Sequence, residues 1–313
     1  MADQRRNTFM VIKEVAALWK ADKKQYVKES TYSAYALLVA NHIEPFFGEK
    51  EEFVESDIQQ FVLESLRDGL SEKTVKDIVV VIKMIQKFAV KKGYMQLRPF
   101  DVVYPKNSKK PELAIMAKED QRRLFEYTKA NFSFRNLGIA ICLCTGLRIG
   151  EICGLKWSDF DLDDGVLKVR RTVQRIYLVD GEKRTTKIVA AEPKTRESNR
   201  DIPLSGELLK IVRPLAKVVN PDFYVLSNEE SPIEPRTYRS YYKRILKKLG
   251  IPDLKFHGLR HSFATRCIES KNSVKTVSVI LGHSNITTTM NLYVHPDNKE
   301  KKRCIERMLK DIL

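Results

Sequence analysis

Thr145–Leu155 reads TGLRIGEICGL and carries the chain's most informative local pattern. Its glycines recur every four residues, which lets a helix start pack closely against a neighbouring backbone, and Arg148 sits at that start. Nucleotide-binding glycine loops have a different spacing, and the sequence contains neither GxxxxGKS/T nor GxGxxG. The stretch therefore predicts a closely packed helix N-terminus that presents an arginine, and it does not predict a nucleotide site.

Two later stretches carry further cations and one tyrosine. HGLRHSFAT begins at His257, and its Arg260 lies three residues on, so one turn of helix brings both side chains to the same side. LGHSNITTTMNLY contains His283 and ends at Tyr293. Arginines hold phosphates through bidentate, charge-assisted hydrogen bonds, and histidines add single donors. Together the three stretches predict a site that binds one phosphodiester. Each stretch on its own is equally typical of residues with a purely structural role.

A metal site is the alternative interpretation of His257 and His261, which stand four residues apart in a helical pattern. Arg260 lies between them and no third Cys, His or carboxylate follows nearby, so the ligand count of structural zinc is not met. HExxH is absent, the five cysteines form no CxxC pair, and the N-terminus MADQRRNTF lacks an apolar signal segment. We therefore expect no metal, no disulfide framework and a reduced, cytoplasmic protein.

The charge balance points to an anionic partner. Lys and Arg total 56 against 40 Asp and Glu, which gives a net charge of +16 in 313 residues. A surplus of this size usually meets a polyanion, most often nucleic acid, although a merely soluble basic protein is the plainer interpretation. The sequence has no apolar stretch long enough to cross a membrane, and 43% apolar residues suffice for ordinary cores. The composition excludes a membrane-spanning chain and argues against wholesale disorder.

The order of helical and β patterns predicts two domains. Residues 1–97 carry helical patterns, and residues 98–111 contain three prolines and a lysine-rich run typical of a linker. Residues 112–313 are mostly helical with a β-rich insert, where a turn at Asp180-Gly181 predicts a hairpin. The expected fold class is mainly α with a small β-sheet.

A lysine stripe marks the last helical pattern of the first domain. One face of this pattern is apolar, and another face carries Lys76, Lys83, Lys87 and Lys91. Such stripes are usually solvated, but in a strongly basic chain a face that contacts DNA phosphates is an equal alternative. Both interpretations remain open at this point.

Taken in order, these stretches resemble the tyrosine recombinase (phage-integrase) family. TGLRIGEICGLKW is similar to the family's first arginine box, HGLRHSFAT to its second, and LGHSNITTTMNLY to the box that ends in the nucleophile. Residues 192–204 resemble the segment with the hairpin lysine, and TYSAYALLVANHIEPFFG resembles part of the helical domain that binds core sites. The resemblance covers almost the whole chain. It implies an N-terminal helical core-binding domain followed by a mixed α/β catalytic domain.

The resemblance also implies roles for the phosphate-binding side chains. Arg148 and Arg260 would clamp the scissile phosphate. His257 would accept or relay the tyrosine proton, or hydrogen-bond the phosphate, and His283 would donate to a non-bridging oxygen. All of these are carried over from the family boxes onto matching positions of this sequence.

The same resemblance makes Tyr293 the nucleophile, Lys194 the acid that protonates the leaving 5′ oxygen, and Glu151 an orienting neighbour. Ionising a tyrosine with a pKa of about 10 costs about 4 kcal/mol at neutral pH, and nearby arginines are expected to lower that pKa. A covalent 3′-phosphotyrosine would conserve the bond energy, so the family's chemistry needs neither ATP nor a metal. We therefore expect no cofactor.

The spacing between His283 and Tyr293 indicates the subtype of recombinase within this family. Ten residues separate His283 from Tyr293, which favours integrases of phages and conjugative transposons over Xer resolvases. The helical pattern already begins by residue 8, so an arm-less integrase is expected, with a Xer-like resolvase or a DNA invertase as the alternative. More distant alternatives are a type IB topoisomerase, which shares the side chains but acts as a monomer, and a non-catalytic DNA-binding regulator.

The implied partner is double-stranded DNA with inverted-repeat core sites, bound by a homotetramer. One apolar face of a terminal helix is predicted from Ile305, Met308, Leu309, Ile312 and Leu313. Packing of this face on its own domain is the plainer interpretation, whereas the family exchanges such tails between protomers. The family further implies accessory directionality or DNA-bending factors, and no membrane partner.

Overall fold

The computed structural model describes residues 10–105, 113–180, 183–192 and 196–293, together with single positions between 298 and 309. The chain divides into two compact units. One comprises Met1–Lys110 and Ile176–Lys187, and the other comprises Pro111–Arg175 and Ile188–Leu313. No helix among the described residues has the length and apolar character needed to cross a membrane.

The N-terminal unit consists of helices whose apolar faces meet in one core. Trp19, Ile58 and Ile82 are fully buried there. The longest helix begins after Ser71, whose side chain caps it, and ends at Gly93 in a left-handed conformation. The helices are α1 (Ile12–Lys23), α2 (Glu29–Leu38), α3 (Glu44–Phe47), α4 (Glu55–Arg67) and α5 (Glu72–Lys92).

The first part of the predicted linker packs on these helices. Phe100 is buried against their core, and the Gln86 side chain on α5 donates to the carbonyl of Arg98 (3.0 Å). The Gln59 side chain on α4 exchanges two hydrogen bonds with the backbone of Val103 (2.9 and 3.0 Å). Residues 98–105 are therefore fixed to the helical unit, and the rest of the predicted linker lies outside the described residues.

The predicted β-rich insert forms two small β structures, and residues 176–187 of the second structure belong to the first compact unit. An antiparallel sheet has the strand order β1-β2-β5, and a separate two-stranded hairpin pairs β3 with β4, as the turn signal at Asp180 predicted. In the first sheet Val169 pairs with Arg200, and Leu167 pairs with Ile202. The strands are β1 (Phe160–Asp161), β2 (Val166–Val169), β3 (Thr172–Asp180), β4 (Lys183–Ala191) and β5 (Arg200–Pro203).

Helices form the bulk of the second unit. They are α6 (Lys118–Ala130), α7 (Phe134–Thr145), α8 (Ile149–Cys153), α9 (Gly206–Ala216), α10 (Pro235–Lys248), α11 (Phe256–Glu269), α12 (Val274–Leu281) and α13 (Ile286–Tyr293). A main core surrounds α7 and the sheet, and a smaller core joins α11, α12 and α13 through Ala264, Leu281 and Tyr293. The expected fold class, mainly α with a small β-sheet, is confirmed.

Candidate active site

TGLRIGEICGL forms the turn between α7 and α8. Gly146 ends α7 with a φ of 66°, and a Cβ there would lie 2.5 Å from the Phe263 ring, so the backbone approaches its neighbour closely, as predicted. Arg148 follows at the start of α8 and donates to the Glu151 carboxylate (Nη1–Oε1 2.8 Å) and to the Gly282 carbonyl (3.2 Å). The Arg148 side chain remains 36% exposed, which leaves it accessible to a phosphate.

Glu151 is held between Arg148 and a second arginine that sequence patterns did not single out. Arg200, on β5, donates through both Nη atoms to the Glu151 carboxylate (3.2 and 3.1 Å), and its Nε donates to the Ile280 carbonyl (2.6 Å). Burial raises the pKa of Glu151, but the hydrogen bonds and charge of Arg200, with Arg148, outweigh it and hold the pKa below its ordinary value. Glu151 is therefore an anion that orients two arginines.

Arg260 lies on α11 and is only 1% exposed. Its Nη1 donates to the Gly146 carbonyl (2.9 Å), and its Nη2 donates to the Leu281 carbonyl (2.7 Å). These carbonyls lie at the C-terminal ends of α7 and α12, where the helix dipoles are negative. Burial and the charge of Arg148 lower the pKa of Arg260 to about 9, which still leaves a cation at neutral pH.

The two predicted site histidines are neutral at pH 7. The Nδ1 atom of His283 lies 2.8 Å from Oγ1 of Thr289, a fully buried hydroxyl, and burial together with Arg260 lowers the pKa of His283 to about 4. Burial, followed by the neighbouring His261 and Arg260, lowers the pKa of His257 to about 4 as well. The His257 side chain is exposed to solvent, so water screens part of this effect.

Tyr293 is the last residue of α13 and is 7% exposed. Its Oη lies 2.6 Å from Nδ1 of His261. Burial raises the pKa of Tyr293, and the opposing effects of Arg260 and Arg148 are smaller, so the net shift is upward. The two arginines lower the pKa of the tyrosine as expected, but burial raises it by more than they lower it.

The structure thus brings six of the predicted residues into one constellation, namely Arg148, Glu151, His257, Arg260, His283 and Tyr293. Lys194 lies outside the described residues. Hence the described constellation contains both arginines and the tyrosine but not the predicted acid. Among the described residues no group of three His, Cys, Asp or Glu side chains could hold a metal ion.

The four stripe lysines belong to the N-terminal unit, and all are exposed on α5. Lys76 lies over the ring of Tyr104 (4.8 Å to the centroid), and Lys83 lies over the ring of Phe100 (5.0 Å). Both rings belong to the segment 98–105 that packs on the helices. Two of the lysines therefore have an intramolecular partner, and this sets them apart from Lys87 and Lys91, whose ammonium groups lie over no ring among the described residues.

Sequence reasoning considered His261 only as a metal ligand and did not single out Arg200. A signal for Arg200 exists, since it lies two residues before Ile202 in β5 and so shares its buried face. An arginine at an inward position needs a buried anion. No comparable signal exists for His261, because its contact with Tyr293 joins residues 32 positions apart and depends on how α11 packs against α13.

Comparison with known proteins gives matches over both units. The family model described as "Phage integrase family" matches residues 114–300, and the model described as "Phage integrase, N-terminal SAM-like domain" matches residues 11–66. The chain is 29% identical over 306 residues to a tyrosine recombinase XerC-like protein of Caldanaerobacter subterraneus, covering 90% of this chain and 78% of that protein. It is 22% identical to the ICEBs1 integrase of Bacillus subtilis, covering 88% of this chain and 76% of that protein.

A solved structure shares the fold. The Tn1549 transposon integrase in complex with transposon right end DNA superposes with a TM-score of 0.76 at 23% identity, covering 96% of this chain and 100% of the other. This likeness confirms the expected fold, helical in the N-terminal part and mixed α/β in the second unit. Since the family model spans more than half of the sequence, the resemblance seen in the motifs is confirmed as well. The chain belongs to the phage integrase family, the tyrosine recombinases, enzymes that cut and rejoin DNA.

Proposed function

We propose that this recombinase integrates and excises a mobile DNA element, with Tyr293 as the nucleophile that forms a 3′-phosphotyrosyl intermediate. The observation that carries the proposal is the constellation itself, in which the Tyr293 hydroxyl is held where the charges of Arg260 and Arg148 act on it. A tyrosine with a purely structural role has no need of two oriented guanidinium groups. The spacing of ten residues between His283 and Tyr293 and the similarity to an integrase of a mobile element favour this subtype.

The scissile phosphate is bound first through Arg148. Its guanidinium has five N–H donors. One donor on Nη1 is bound to the Glu151 carboxylate, and one on Nη2 is bound to the Gly282 carbonyl. The exposed remainder can therefore grip a phosphate. Arg260 is almost fully covered, so its contribution is mainly the positive charge that it holds beside the reacting oxygen.

His283 donates to a non-bridging oxygen. Because its Nδ1 faces the Thr289 hydroxyl, the neutral ring carries its proton on Nε2 when that hydroxyl is the donor, and Nε2–H is then available to the phosphate. Negative charge on the phosphate would in turn favour a proton on the ring, since opposite charges raise a histidine pKa. His257 is near enough for its charge to contribute to the lowered pKa of His283, and it supplies a second imidazole to the site.

The chemistry is a transesterification in two balanced steps. The Tyr293 hydroxyl gives its proton to a neighbouring histidine as its oxygen attacks phosphorus, the bond to the 5′ oxygen breaks, and Lys194 gives that oxygen a proton. The ester keeps the energy of the original phosphodiester, and a 5′ hydroxyl from the partner strand then reverses the step. A positioned acid such as Lys194 typically contributes about 10²–10⁴-fold.

Full recombination needs several copies of the chain on paired inverted-repeat core sites. The exposed side chains of Ile305, Met308 and Leu309 support a homotetramer in which the tail of one protomer docks on the next. Apolar side chains at three- and four-residue spacing on a helix are typical of a buried face, so their exposure in one protomer leaves a face that a second copy can cover. Accessory directionality or DNA-bending factors would act on this assembly.

A covalent trapping experiment tests the nucleophile. The probe is a nicked duplex whose core sequence is selected from a randomised pool by binding to the full chain. Cleavage releases a short fragment, so the protein remains attached to DNA. We expect the wild type to form an adduct that survives denaturant and Tyr293→Phe to form none while it still binds the duplex. Absence of an adduct from the wild type, or an equal adduct from Tyr293→Phe, would reject the proposal in favour of a non-catalytic regulator.

A second experiment separates the subtypes. Plasmids carrying two copies of the selected site, in direct or in inverted orientation, report excision and inversion, and a plasmid without the site reports relaxation alone. We expect recombination between sites, and truncation after residue 301 should abolish recombination but spare DNA binding. Relaxation without recombination would indicate a topoisomerase. Resolution of directly repeated sites with no integration into a second plasmid would favour the Xer-like alternative, which the XerC-like relative also suggests.

A further inference from the structure

We propose that His261 is the base that takes the proton from Tyr293 as the tyrosine attacks the phosphate, an inference that rests on the proposed role of Tyr293. The family boxes direct attention to His257, at the start of the same motif. The structure instead places the last residue of HGLRH against the nucleophile.

The geometry favours His261 over His257. The Nδ1 atom of His261 lies 2.6 Å from the Tyr293 oxygen, inside the range in which a general base must sit. Among the described residues His261 provides the only side-chain hydrogen bond to this hydroxyl. The His257 ring stands at 84° to the His261 ring with centroids 4.5 Å apart, so it is the next group outward from the proton acceptor.

The protonation states of His261 and Tyr293 suit a proton acceptor and a proton donor, respectively. Burial and then the charge of Arg260 lower the pKa of His261, so its ring is neutral at neutral pH and has one nitrogen free to accept. Burial keeps Tyr293 protonated, since its pKa is raised. The tyrosine therefore cannot react as a phenolate that is already present and needs a group that removes its proton during attack.

The charged and titratable groups around this pair come from four elements. The α11 helix itself supplies His257 and Arg260, and the turn before α8 supplies Arg148. Along α7, which packs against α11, the titratable side chains are Arg135 at its start and two thiols whose pKa values burial raises, and α12 carries an exposed lysine. None of these neighbours is an anion, so an imidazolium at position 261 becomes favourable only as negative charge builds up on the phosphate.

The proton count balances in both directions. In cleavage the O–H bond of Tyr293 breaks, its proton moves to Nδ1 of His261, the O–P bond forms and the departing 5′ oxygen receives a proton from Lys194. In rejoining the attacking 5′ hydroxyl returns a proton to Lys194, and His261 returns its proton to the tyrosine. The enzyme therefore ends each cycle with both groups in their initial states, and it requires no external acid or base.

Two substitutions separate a base from a mere hydrogen-bond partner. His261→Asn keeps an acceptor atom at the δ position, but an amide cannot take a proton at neutral pH. His261→Leu removes the acceptor. For a base, both variants should form the adduct about 10²–10⁴-fold more slowly than the wild type. For a residue that only positions the hydroxyl, His261→Asn should be close to the wild type.

The pH dependence of the cleavage rate is a second test, because substitution of a residue with a purely structural role would leave it unchanged. Wild-type cleavage should be nearly flat around neutral pH, because His261 is already neutral there, and should fall below the pKa of the ring. In both variants the rate should climb about tenfold per pH unit, since hydroxide must replace the base while Tyr293 keeps its raised pKa. A rate and profile like those of the wild type in His261→Leu would overturn the inference, and so would a fast His261→Asn.

Controls distinguish failure of this inference from failure of the proposed function. All rates are measured on the selected nicked duplex with full-length protein at saturating concentration, and binding is measured separately by gel retardation. Wild-type adduct that disappears in Tyr293→Phe establishes the nucleophile independently of His261. Replacing the 5′ bridging oxygen by sulfur removes the need for an acid, so it should rescue Lys194→Ala and leave His261→Leu slow. Rescue of His261→Leu by sulfur would assign it to the leaving-group side and overturn its role as base.

Discussion

The two halves of the active site are built in different ways. The arginine frame, formed by Arg148, Glu151, Arg200 and Arg260, is fixed by hydrogen bonds that join the α7–α8 turn, β5, α11 and the end of α12. The nucleophile ends α13, a helix of eight residues, and its hydroxyl depends on one hydrogen bond, to His261. The contrast teaches that the charges which stabilise the transition state are part of the fold, whereas the nucleophile is attached to it by few contacts.

The largest effect on stability is expected from a substitution that disrupts the arginine frame. Arg200→Met removes the buried cation that pairs with Glu151 through two hydrogen bonds. Leaving one partner of a buried ion pair uncompensated typically costs about 3–5 kcal/mol, so the free energy of unfolding should fall by an amount of that order. Urea denaturation checks this. The double variant Arg200→Met with Glu151→Gln should recover part of the loss, and near-wild-type stability of the single variant would mean that the frame is not part of the fold.

A smaller loss of stability is expected from a substitution at the nucleophile, in the other half of the active site. Tyr293→Phe removes one hydrogen bond and keeps the ring that packs with Ala264 and Leu281, so the free energy of unfolding should fall by only about 0.5–1.5 kcal/mol. The same urea experiment applies, beside the complete loss of covalent adduct. A destabilisation as large as that of Arg200→Met would erase the distinction between the two halves.

The pH dependence of stability probes the junction between them, where His283 follows α12. The folded-state pKa of about 4 lies below the ordinary value of 6.5, so the unfolded chain binds more protons between these pH values. Stability should therefore rise with pH from about 4 to about 6.5 and level off above it. Thermal unfolding across this interval tests the sign. His283→Gln should reduce the rise and leave the part that comes from His257, whose pKa is also lowered to about 4. A wild-type melting temperature that falls with pH over this interval would contradict the assignment.

The smallest effect is expected from the lysine stripe of α5, which lies outside both halves of the active site. If the lysines face DNA, each phosphate contact contributes about 0.9 to the slope of log affinity against log salt. Lys87→Ala with Lys91→Ala should flatten that slope more than Lys76→Ala with Lys83→Ala, whose ammonium groups already lie over aromatic rings. Stability and the single-turnover cleavage rate at saturating protein should be unchanged. Equal slopes in all proteins would mean that the stripe is merely solvated.

The sequence predicted those parts of the site that depend on local chemistry. The glycine at 146 and the helical spacing of His257 and Arg260 are local, and both are present. The partners of these groups were not predictable, because Arg200 meets Glu151 across 49 positions and His261 meets Tyr293 across 32. The lowering effect of the arginines on the Tyr293 pKa was predicted, but the larger opposite effect of burial was not. Opposing charges can be counted from residue types, but burial depends on packing, and here burial dominates.

Arg260 connects the carbonyls that end two helices. This contact determines which residues can change when the enzyme loses its activity in evolution. Carbonyls at helix ends lack partners within the helix, so the arginine that serves the chemistry also closes α7 and α12. A copy of the gene released from selection for recombination would lose Tyr293 with little harm to the protein, while loss of Arg260 would loosen two helices at once. Inactive descendants should therefore keep the arginine longer than the tyrosine. For the same reason, a cleavage-deficient protein for mapping attachment sites on DNA is best made by changing Tyr293.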